Sequence, residues 1–282
     1  MKILAFISLL LIVFAAQADD RFAKVKITTT SLGNGIYMLT GSGGNIGVSA
    51  GEDGMLMVDD QYAPLADKIA AALKELSPNP LKFVVNTHVH GDHTGGNAHF
   101  GQQATIFAHH AVLERLSENN ELPRSAMPVV TYDDGVTFHF NGETIRVVHY
   151  PSGHTDGDSV IWFKNANVLH MGDLFFSGRF PFIDLKRGGS VMGYLNNVKA
   201  IYQQTDDNTK IIPGHGPLAT KADLATKIRM LETQIDWVKK SKAAGKSAET
   251  LKAEGVPTEW KSWSWRFIDE HRWIDTLYQG LE

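Results

Sequence analysis

Residues 81–93 read LKFVVNTHVHGDH, and this stretch decides the fold. Its apolar first part predicts a buried strand. Its second part places three imidazoles and one carboxylate within six residues, and these groups are typical ligands of borderline cations such as zinc. We therefore expect a metal-binding loop at the end of a buried strand, where a rigid scaffold commonly presents reactive groups.

The spacing within this loop allows two ions to be bound. His88 and His90 are two residues apart, so in an extended segment their side chains point the same way and can share one ion. Gly91 permits a turn, after which Asp92 and His93 can face a second ion. The alternative, a polar surface loop with scattered histidines, explains this density of ligands poorly.

The composition is that of a folded protein of moderate size. The chain has 282 residues, of which 43% are hydrophobic, and these supply a core for a layered α/β domain. The formal charge of −4 and the pI of about 6.3 offer no basic surface for nucleic acid. We therefore expect a small-molecule partner, and the composition leaves the oligomeric state open.

The N-terminus has the pattern of a secretory signal peptide, residues 1–18. A basic start (MK) precedes an apolar run at residues 3–16 and a small-residue AQA site at residues 16–18. The run is shorter than the roughly 20 apolar residues of a membrane span. We predict cleavage after Ala18, a periplasmic or secreted protein, and no stable membrane anchor; the alternative is an uncleaved N-terminal anchor. The chain has no Cys, which excludes thiolate ligands and Cys nucleophiles.

Strand and helix patterns predict that residues 19–282 form a single domain of the α/β class, a four-layer αββα sandwich. Helices are expected at residues 64–76, 109–119, 190–205 and within a C-terminal helical segment at about 221–282. Strands are expected at residues 24–30, 35–40, 45–50, 55–59, 81–87, 105–108, 136–140, 144–150, 159–163, 168–171 and 210–212. The Trp-rich residues 260–265 belong either to a docked C-terminal helix or to an aromatic wall over a binding site.

Three later loops carry a further potential ligand just beyond an apolar strand. They are Gly153-His154-Thr155, Gly172-Asp173 and Pro213-Gly214-His215-Gly216. Each candidate stands beside Gly, which lets the backbone approach a crowded site. A site for two ions needs more than the four ligands of the first loop, and these loops can supply the rest.

Five blocks, arriving in a fixed order over residues 30–220, resemble the metallo-β-lactamase superfamily. They are Asp59 after an apolar strand, the HxHxDH loop, His154, Asp173 and His215. Any one short block can arise by chance, but the ordered set is specific. The resemblance implies an αββα sandwich with metals at the edge of its sheets, in agreement with the layered pattern.

The resemblance implies two sets of three ligands joined by a bridging carboxylate, Asp173. The sets are His88, His90 and His154 for the first ion and Asp92, His93 and His215 for the second. Asp59 matches an acidic residue that supports the His loop from behind, a role that carboxylates often have beside ligating imidazoles. The capped end of a strand is a nearly equal interpretation of Asp59.

Two divalent ions held in this way imply a hydrolase. Ions roughly 3.5 to 4 Å apart share a water and lower its pKa toward neutrality, so the expected reaction is attack of that water on an ester, lactone, thioester or lactam carbonyl. Asp92 is expected to orient the attacking water while it ligates. Zinc is the default, with two ions per chain, and the same ligands accept iron or manganese.

Asp173 separates the alternatives for the substrate. Dedicated lactam-hydrolysing members of the family with an HxHxDH loop have Cys or Ser at this position, whereas thioesterase, lactonase and phosphodiesterase members have Asp. A periplasmic β-lactamase is one alternative, and an iron-dependent persulfide oxidoreductase is another. A noncatalytic binding role is least favoured because the ligand set is complete.

The loop at residues 174–182 is rich in Phe and contains one Arg. We predict an apolar pocket in which Phe176 and Arg179 contact the substrate, Arg179 through an anionic group. Packing of these Phe residues beneath the site is an equal alternative, and Lys186 or Arg187 is an alternative to Arg179. The remaining histidines are expected outside the site: His99, His109, His110, His139, His149, His170 and His271.

Overall fold

The structure, a computed structural model, describes residues 20–281, so the predicted signal peptide lies outside the described residues. Two sheets form the centre of the fold. The seven-stranded sheet contains, in spatial order, β1 (Thr28–Gly33), β2 (Ile36–Thr40), β3 (Ile46–Gly51), β4 (Gly54–Val58), β5 (Leu81–Val85), β6 (Thr105–His109) and β7 (Val130–Tyr132). The five-stranded sheet contains, in spatial order, β12 (Lys210–Ile212), β11 (Val168–His170), β10 (Ser159–Phe163), β9 (Glu143–His149) and β8 (Gly135–Phe140).

The described chain contains eight α-helices, and the longer ones cover the outer faces of the sheets. The eight helices are α1 (Ala66–Leu76), α2 (Gly91–Thr94), α3 (Asn97–Phe100), α4 (His110–Ser117), α5 (Val191–Tyr202), α6 (Lys221–Ala243), α7 (Ala248–Glu254) and α8 (Glu270–Gly280). Among residues 20–281, no helix combines the length and the hydropathy that a membrane span requires.

Side-chain alternation along the strands creates the layers, because successive residues of a strand point to opposite faces. In β4, Met57 belongs to the same buried cluster as Ile69 of α1, while its neighbour Val58 points between the sheets. In β10, Ile161 joins Val58 between the sheets, while Val160 faces the helical layer of α5, α6 and α8. The predicted four-layer αββα sandwich is confirmed.

Helix α6 begins at Lys221, where the predicted C-terminal helical segment starts. Thr220 and Asp223 form both halves of a capping box at the start of α6: Thr220 Oγ1 accepts from the Asp223 amide, and Asp223 Oδ2 accepts from the Thr220 amide. Element boundaries agree less well at the N-terminus, where β1 begins at Thr28 rather than at residue 24. Strand β7 was not predicted, because three residues are too few to show an alternating pattern.

The ligand-bearing loops leave one edge of the sandwich. Strands β4, β5 and β6 pair in parallel, as do β11 and β12, so their carboxyl ends lie at a common edge of each sheet. Asn45 joins the two edges: its amide donates to Gly214 O (2.7 Å), and its side-chain Nδ2 donates to Pro213 O (2.8 Å) and Gly216 O (2.9 Å). The loops after β5, β11 and β12 consequently face one another.

Candidate metal centre

The structure brings all seven predicted ligands together at this edge. They form two groups, His88, His90, His154 and Asp173 in one and Asp92, His93 and His215 in the other, and the candidate ligand atoms within each group lie within 4.8 Å of one another. His88 and His90 are in the loop after β5, whereas Asp92 and His93 are in the helical turn α2. The turn that begins at Gly91 therefore separates the ligands into two groups, as the spacing predicts.

The Asp173 carboxylate lies between the two groups. Its Oδ1 is 3.2 Å from His93 Nε2 and 3.3 Å from His215 Nε2. Its Oδ2 is 3.4 Å from His154 Nε2 and 3.7 Å from His88 Nε2. Each oxygen of Asp173 therefore faces a different group of imidazoles.

The chemistry of these atoms fits divalent cations. His88 Nε2 is buried and has no hydrogen-bond partner, an arrangement that costs about 1 to 3 kcal/mol. His90 Nδ1 and His154 Nε2 approach to 2.8 Å. Convergent lone pairs of this kind suit a cation placed between them, and imidazole with carboxylate is the ligand set of zinc, iron and manganese.

Asp59 orients two of these imidazoles from behind. Its Oδ2 accepts from His93 Nδ1 (2.7 Å) and from Thr87 Oγ1 (2.8 Å), and Thr87 Oγ1 is in turn 2.9 Å from His88 Nδ1. Asp59 Oδ1 also accepts from the Thr87 amide (2.7 Å), which corresponds to the strand-end interpretation. Asp59 thus makes the contacts that both interpretations describe. Its hydrogen bonds engage Nδ1 of His93 directly and Nδ1 of His88 through Thr87, so the Nε2 atoms of both rings are directed at the centre.

Asp184 orients a third imidazole and was not predicted from the sequence. Its Oδ2 lies 3.0 Å from His90 Nε2, so Nδ1 of His90 faces the centre. The Asp184 amide donates to His154 O (2.9 Å), and His154 Nδ1 donates to Phe182 O (2.7 Å). The hydrogen bond from His90 lowers the pKa of Asp184. No sequence motif marks Asp184, because its contact with His90 joins residues 94 positions apart.

Burial and charge give the imidazoles of the two groups different protonation behaviour. Burial lowers the pKa of His88 well below its usual value and that of His154 to about 3, so both rings are neutral at pH 7, the form that binds metals. Burial also acts against charge on His93 and His215, but the neighbouring carboxylates together outweigh it: Asp173 and Asp92 for both rings, and Asp59 for His93 as well. The pKa of His93 is raised well above its usual value and that of His215 to about 9. A cation here competes with those protons.

A cavity of about 640 Å³ opens above the two groups. Its floor includes His90, Asp92, Asp173 and His215, and its walls include the aromatic rings and cations Phe176, Phe182, Trp265, Phe267, Arg179 and Arg266. The Phe residues of the loop at residues 174–182 divide between the two alternatives, lining of an apolar pocket and packing beneath the site. Phe176 and Phe182 line the cavity, whereas Phe175 and Phe180 pack in the core beneath it. Lys186 and Arg187 do not line this cavity.

Comparison with known sequences decides the family. The profile of the Metallo-beta-lactamase superfamily matches residues 39–215, more than half of the chain. The chain belongs to the metallo-β-lactamase superfamily. The matched residues contain both ligand groups, and the resemblance inferred from the five blocks is confirmed.

Several relatives of this superfamily member are named as hydrolases. An acyl-coenzyme A thioesterase MBLAC2 from Bos taurus is 23% identical over 228 residues, 66% of this chain and 79% of the relative. A hydroxyacylglutathione hydrolase from Methylococcus capsulatus is 31% identical over 97 residues, 34% of this chain and 35% of the relative. The alpha subunit of 2,4-dinitroanisole O-demethylase from Nocardioides sp. is 28% identical over 134 residues, 45% of this chain and 40% of the relative. The chain thus spans under half of the last two relatives, and the named hydrolases support the prediction of an enzyme.

Solved structures share the fold. A metallo-beta-lactamase from Pontibacter korlensis superposes with a TM-score of 0.64 at 18% identity, covering 73% of this chain and 99% of that chain. The DIM-1 metallo-beta-lactamase also has a TM-score of 0.64, at 20% identity, covering 74% of this chain and 99% of that chain. At these identities the likeness concerns the fold alone.

The other histidines of the described chain belong to neither ligand group. His170 is buried and its Nε2 lies 3.0 Å from Asn45 O. His109 caps the start of α4 and stacks on His149 at a centroid distance of 3.7 Å. These residues therefore have structural contacts of their own.

Proposed function

We propose that this protein is a hydrolase with a dinuclear centre, zinc by default, that cleaves an ester, thioester, lactone or lactam of a small molecule. The observation that carries the proposal is the position of the Asp173 carboxylate. Its Oδ1 is 3.2 Å from His93 Nε2, and its Oδ2 is 3.4 Å from His154 Nε2. A carboxylate with one oxygen toward each ligand group can join two ions, and a single-ion site has no need of this arrangement.

We assign one ion to each ligand group. In this proposal Asp173 is shared, the first ion is held by His88, His90 and His154, and the second by Asp92, His93 and His215. When bound, two such ions lower the pKa of a shared water toward neutrality and polarise the carbonyl under attack. Iron or manganese would fit the same donors.

Asp92 is the residue that we assign to proton transfer. Its carboxyl group is partly exposed to the cavity, with Oδ2 3.3 Å from His215 Nε2, and the neighbouring imidazoles keep its pKa below the usual value although burial alone would raise it. The ionised carboxylate can orient the attacking water and accept its proton. Hydrolysis then breaks the bond between the acyl carbon and the leaving group, which takes up the proton as it departs.

The substrate class follows from Asp173 and from the relatives. This position holds Asp rather than Cys or Ser, and a relative that is covered over 79% of its length is named as a thioesterase. These observations favour ester-type and thioester carbonyls over a dedicated β-lactamase. Lactams stay in the proposal because the same water can attack a strained amide.

The proposal is tested with the full chain expressed and purified with zinc. We expect two metal ions per chain by plasma mass spectrometry, and turnover of at least one compound in a panel of esters, thioesters, lactones and β-lactams. Exhaustive chelation should abolish turnover, and Asp92→Asn should lower kcat by roughly 10² to 10⁴. His139→Ala, an exposed His outside both groups, is the matched control and should retain activity. Activity that survives chelation contradicts the proposal, and one iron per chain with oxygen uptake on a persulfide favours the oxidoreductase.

Export is a second, independent proposal. The basic start, the apolar run and the AQA site at residues 16–18 support cleavage after Ala18 and delivery to the periplasm or the medium. N-terminal sequencing of the protein from a secreting host should begin at Asp19. Recovery of the intact N-terminus in a membrane fraction would instead support the uncleaved anchor.

A further inference from the structure

The C-terminal segment 263–268 forms one wall of the cavity above the metal centre, and it is fixed to the loop that follows Asp173. The Phe180 amide donates to Trp263 O, and Trp265 Nε1 donates to Phe180 O, both at 2.9 Å. The Trp265 amide also donates to Ile268 O (3.0 Å). The wall is thus held by one backbone hydrogen bond and by one side-chain hydrogen bond that spans 85 positions of sequence, and it is preformed.

Aromatic rings provide the apolar part of this wall. Trp265 lies 6.0 Å from Phe176 and 5.7 Å from Phe267, and Phe267 meets Phe182 edge-on at 5.3 Å. Phe267 is 47% exposed although it is a large apolar side chain, and it faces the cavity rather than the core. Rings arranged in this way offer flat surfaces to a broad apolar group.

Two arginines provide the charged part. Arg179 is half-buried beside the cavity, and burial lowers its pKa. Its guanidinium lies 5.0 Å from the centroid of the Trp265 ring. Arg266 lines the same cavity, and among residues 20–281 neither arginine forms an ion pair. Lys227 Nζ, which is buried, donates to Arg179 O (2.7 Å), and burial lowers the pKa of Lys227 well below its usual value, so the charged part of the wall consists of the two arginines.

A desolvated guanidinium without a partner is costly, and an anionic ligand that forms a bidentate contact removes that cost. The carboxylates that face the cavity, Asp92 and Asp173, are occupied by the imidazoles of the metal centre. Divalent ions at that centre would make the cavity more positive still. The arginines therefore favour an anionic group and the aromatic rings favour a broad apolar group, and one molecule can carry both.

We propose that the substrate is an anionic acyl compound: a carboxylate or similar anion binds Arg179 and Arg266, and an aromatic or comparably broad apolar group packs on Trp265 and Phe267. This inference rests on the proposed function for the bond that is cleaved. It goes beyond that function in naming the rest of the molecule and the residues that select it.

The test uses binding, so that it does not depend on turnover. The probes are 1-anilinonaphthalene-8-sulfonate and N-phenyl-1-naphthylamine, which differ by the sulfonate, and fluorescence titration of the metal-free and the zinc-loaded protein gives each Kd. We expect one molecule of the sulfonate per chain, bound about tenfold more tightly than the neutral probe. Arg179→Gln should weaken the sulfonate about tenfold and leave the neutral probe unchanged, whereas Trp265→Ala should weaken both.

Arg146→Gln, an exposed arginine on β9 outside the cavity, is the matched control and should change neither Kd. If Trp265→Ala does not fold, as judged by its thermal melt, the exposed Phe267→Ala takes its place. Equal affinity for the two probes, or a sulfonate affinity that Arg179→Gln does not alter, overturns the proposal. Probe binding as expected without turnover of any panel compound would support this pocket and reject the proposed reaction. Turnover of a panel compound without the expected probe binding would support the proposed reaction and reject this pocket.

Discussion

Each imidazole of the first ligand group is fixed by a hydrogen bond to the ring nitrogen that faces away from the centre. His88 Nδ1 contacts Thr87 Oγ1, His154 Nδ1 contacts Phe182 O, and His90 Nε2 contacts Asp184 Oδ2. Such contacts set the tautomer and the orientation of each ring. The charged partner, Asp184, should therefore influence metal affinity most directly.

Asp184→Ala should weaken binding of the first ion about 10- to 100-fold, because His90 loses the acceptor that directs its Nδ1 toward the centre. Asp184→Asn should have a smaller effect, since an amide oxygen can still accept from His90 Nε2. Competition with a fluorescent zinc chelator measures both. Asp67→Asn, whose side chain is 96% exposed, is the control. A zinc affinity of Asp184→Ala equal to that of the unmodified protein would show that Asp184 does not position His90.

The raised pKa of His215 predicts how the stability of the metal-free protein depends on pH. Its folded pKa of about 9 exceeds the usual value of 6.5, so the folded state binds the proton more tightly than the unfolded state. The resulting stabilisation is complete below about pH 6.5 and is lost as the pH rises through 9. His154, with a folded pKa of about 3, binds a proton only in the unfolded state near pH 6.5, so it contributes a smaller slope of the opposite sign at the acid end of this window.

Denaturant unfolding of the chelated protein at pH 6.5 and pH 9 measures this effect. The free energy of unfolding should fall between the two values, and His215→Gln should reduce the fall. Zinc affinity should change in the opposite direction and increase with pH, because binding displaces the same proton. A fall in stability of equal size in His215→Gln would exclude His215 as its source.

At the scale of elements, strand ends and tight loops place the ligands. The loop after β12 packs so closely on the loop after β11 that a Cβ at Gly214 would overlap Asp173 Oδ1. Asp59 follows β4 with a left-handed φ of 62°, a conformation that is uncommon for a residue other than Gly. Close approach at Gly214 and backbone strain at Asp59 are thus both found where loops meet the centre.

Helix α6 carries the buried Lys227 behind the cavity wall, so its N-terminal cap supports the site indirectly. Thr220→Ala removes the side-chain acceptor of the capping box and should destabilise the protein by about 1 kcal/mol. Chemical denaturation gives the value. Thr233→Ala, in the exposed middle of the same helix, should be neutral or slightly stabilising because Ala has the higher helix propensity. Equal losses from both substitutions would assign the effect to something other than the cap.

At the scale of the whole molecule, sequence predicts the ligands better than their surroundings. The seven ligands could be predicted because each follows an apolar strand, and strands of a layered fold deliver their ends to a common edge. Asp184 and Asn45 could not, and an aromatic wall was only one of two interpretations of the Trp-rich residues 260–265. Their contacts join segments 85 or more positions apart and depend on how the layers pack, and no local pattern encodes this.

The central claim is that Asp173 joins two metal ions. Anomalous diffraction at the zinc edge, from a crystal of the zinc-loaded protein, tests it most directly. We predict two peaks roughly 3.5 to 4 Å apart, one among His88, His90 and His154 and the other among Asp92, His93 and His215, with one oxygen of Asp173 on each. A single peak, or two peaks of which Asp173 contacts only one, would contradict the account.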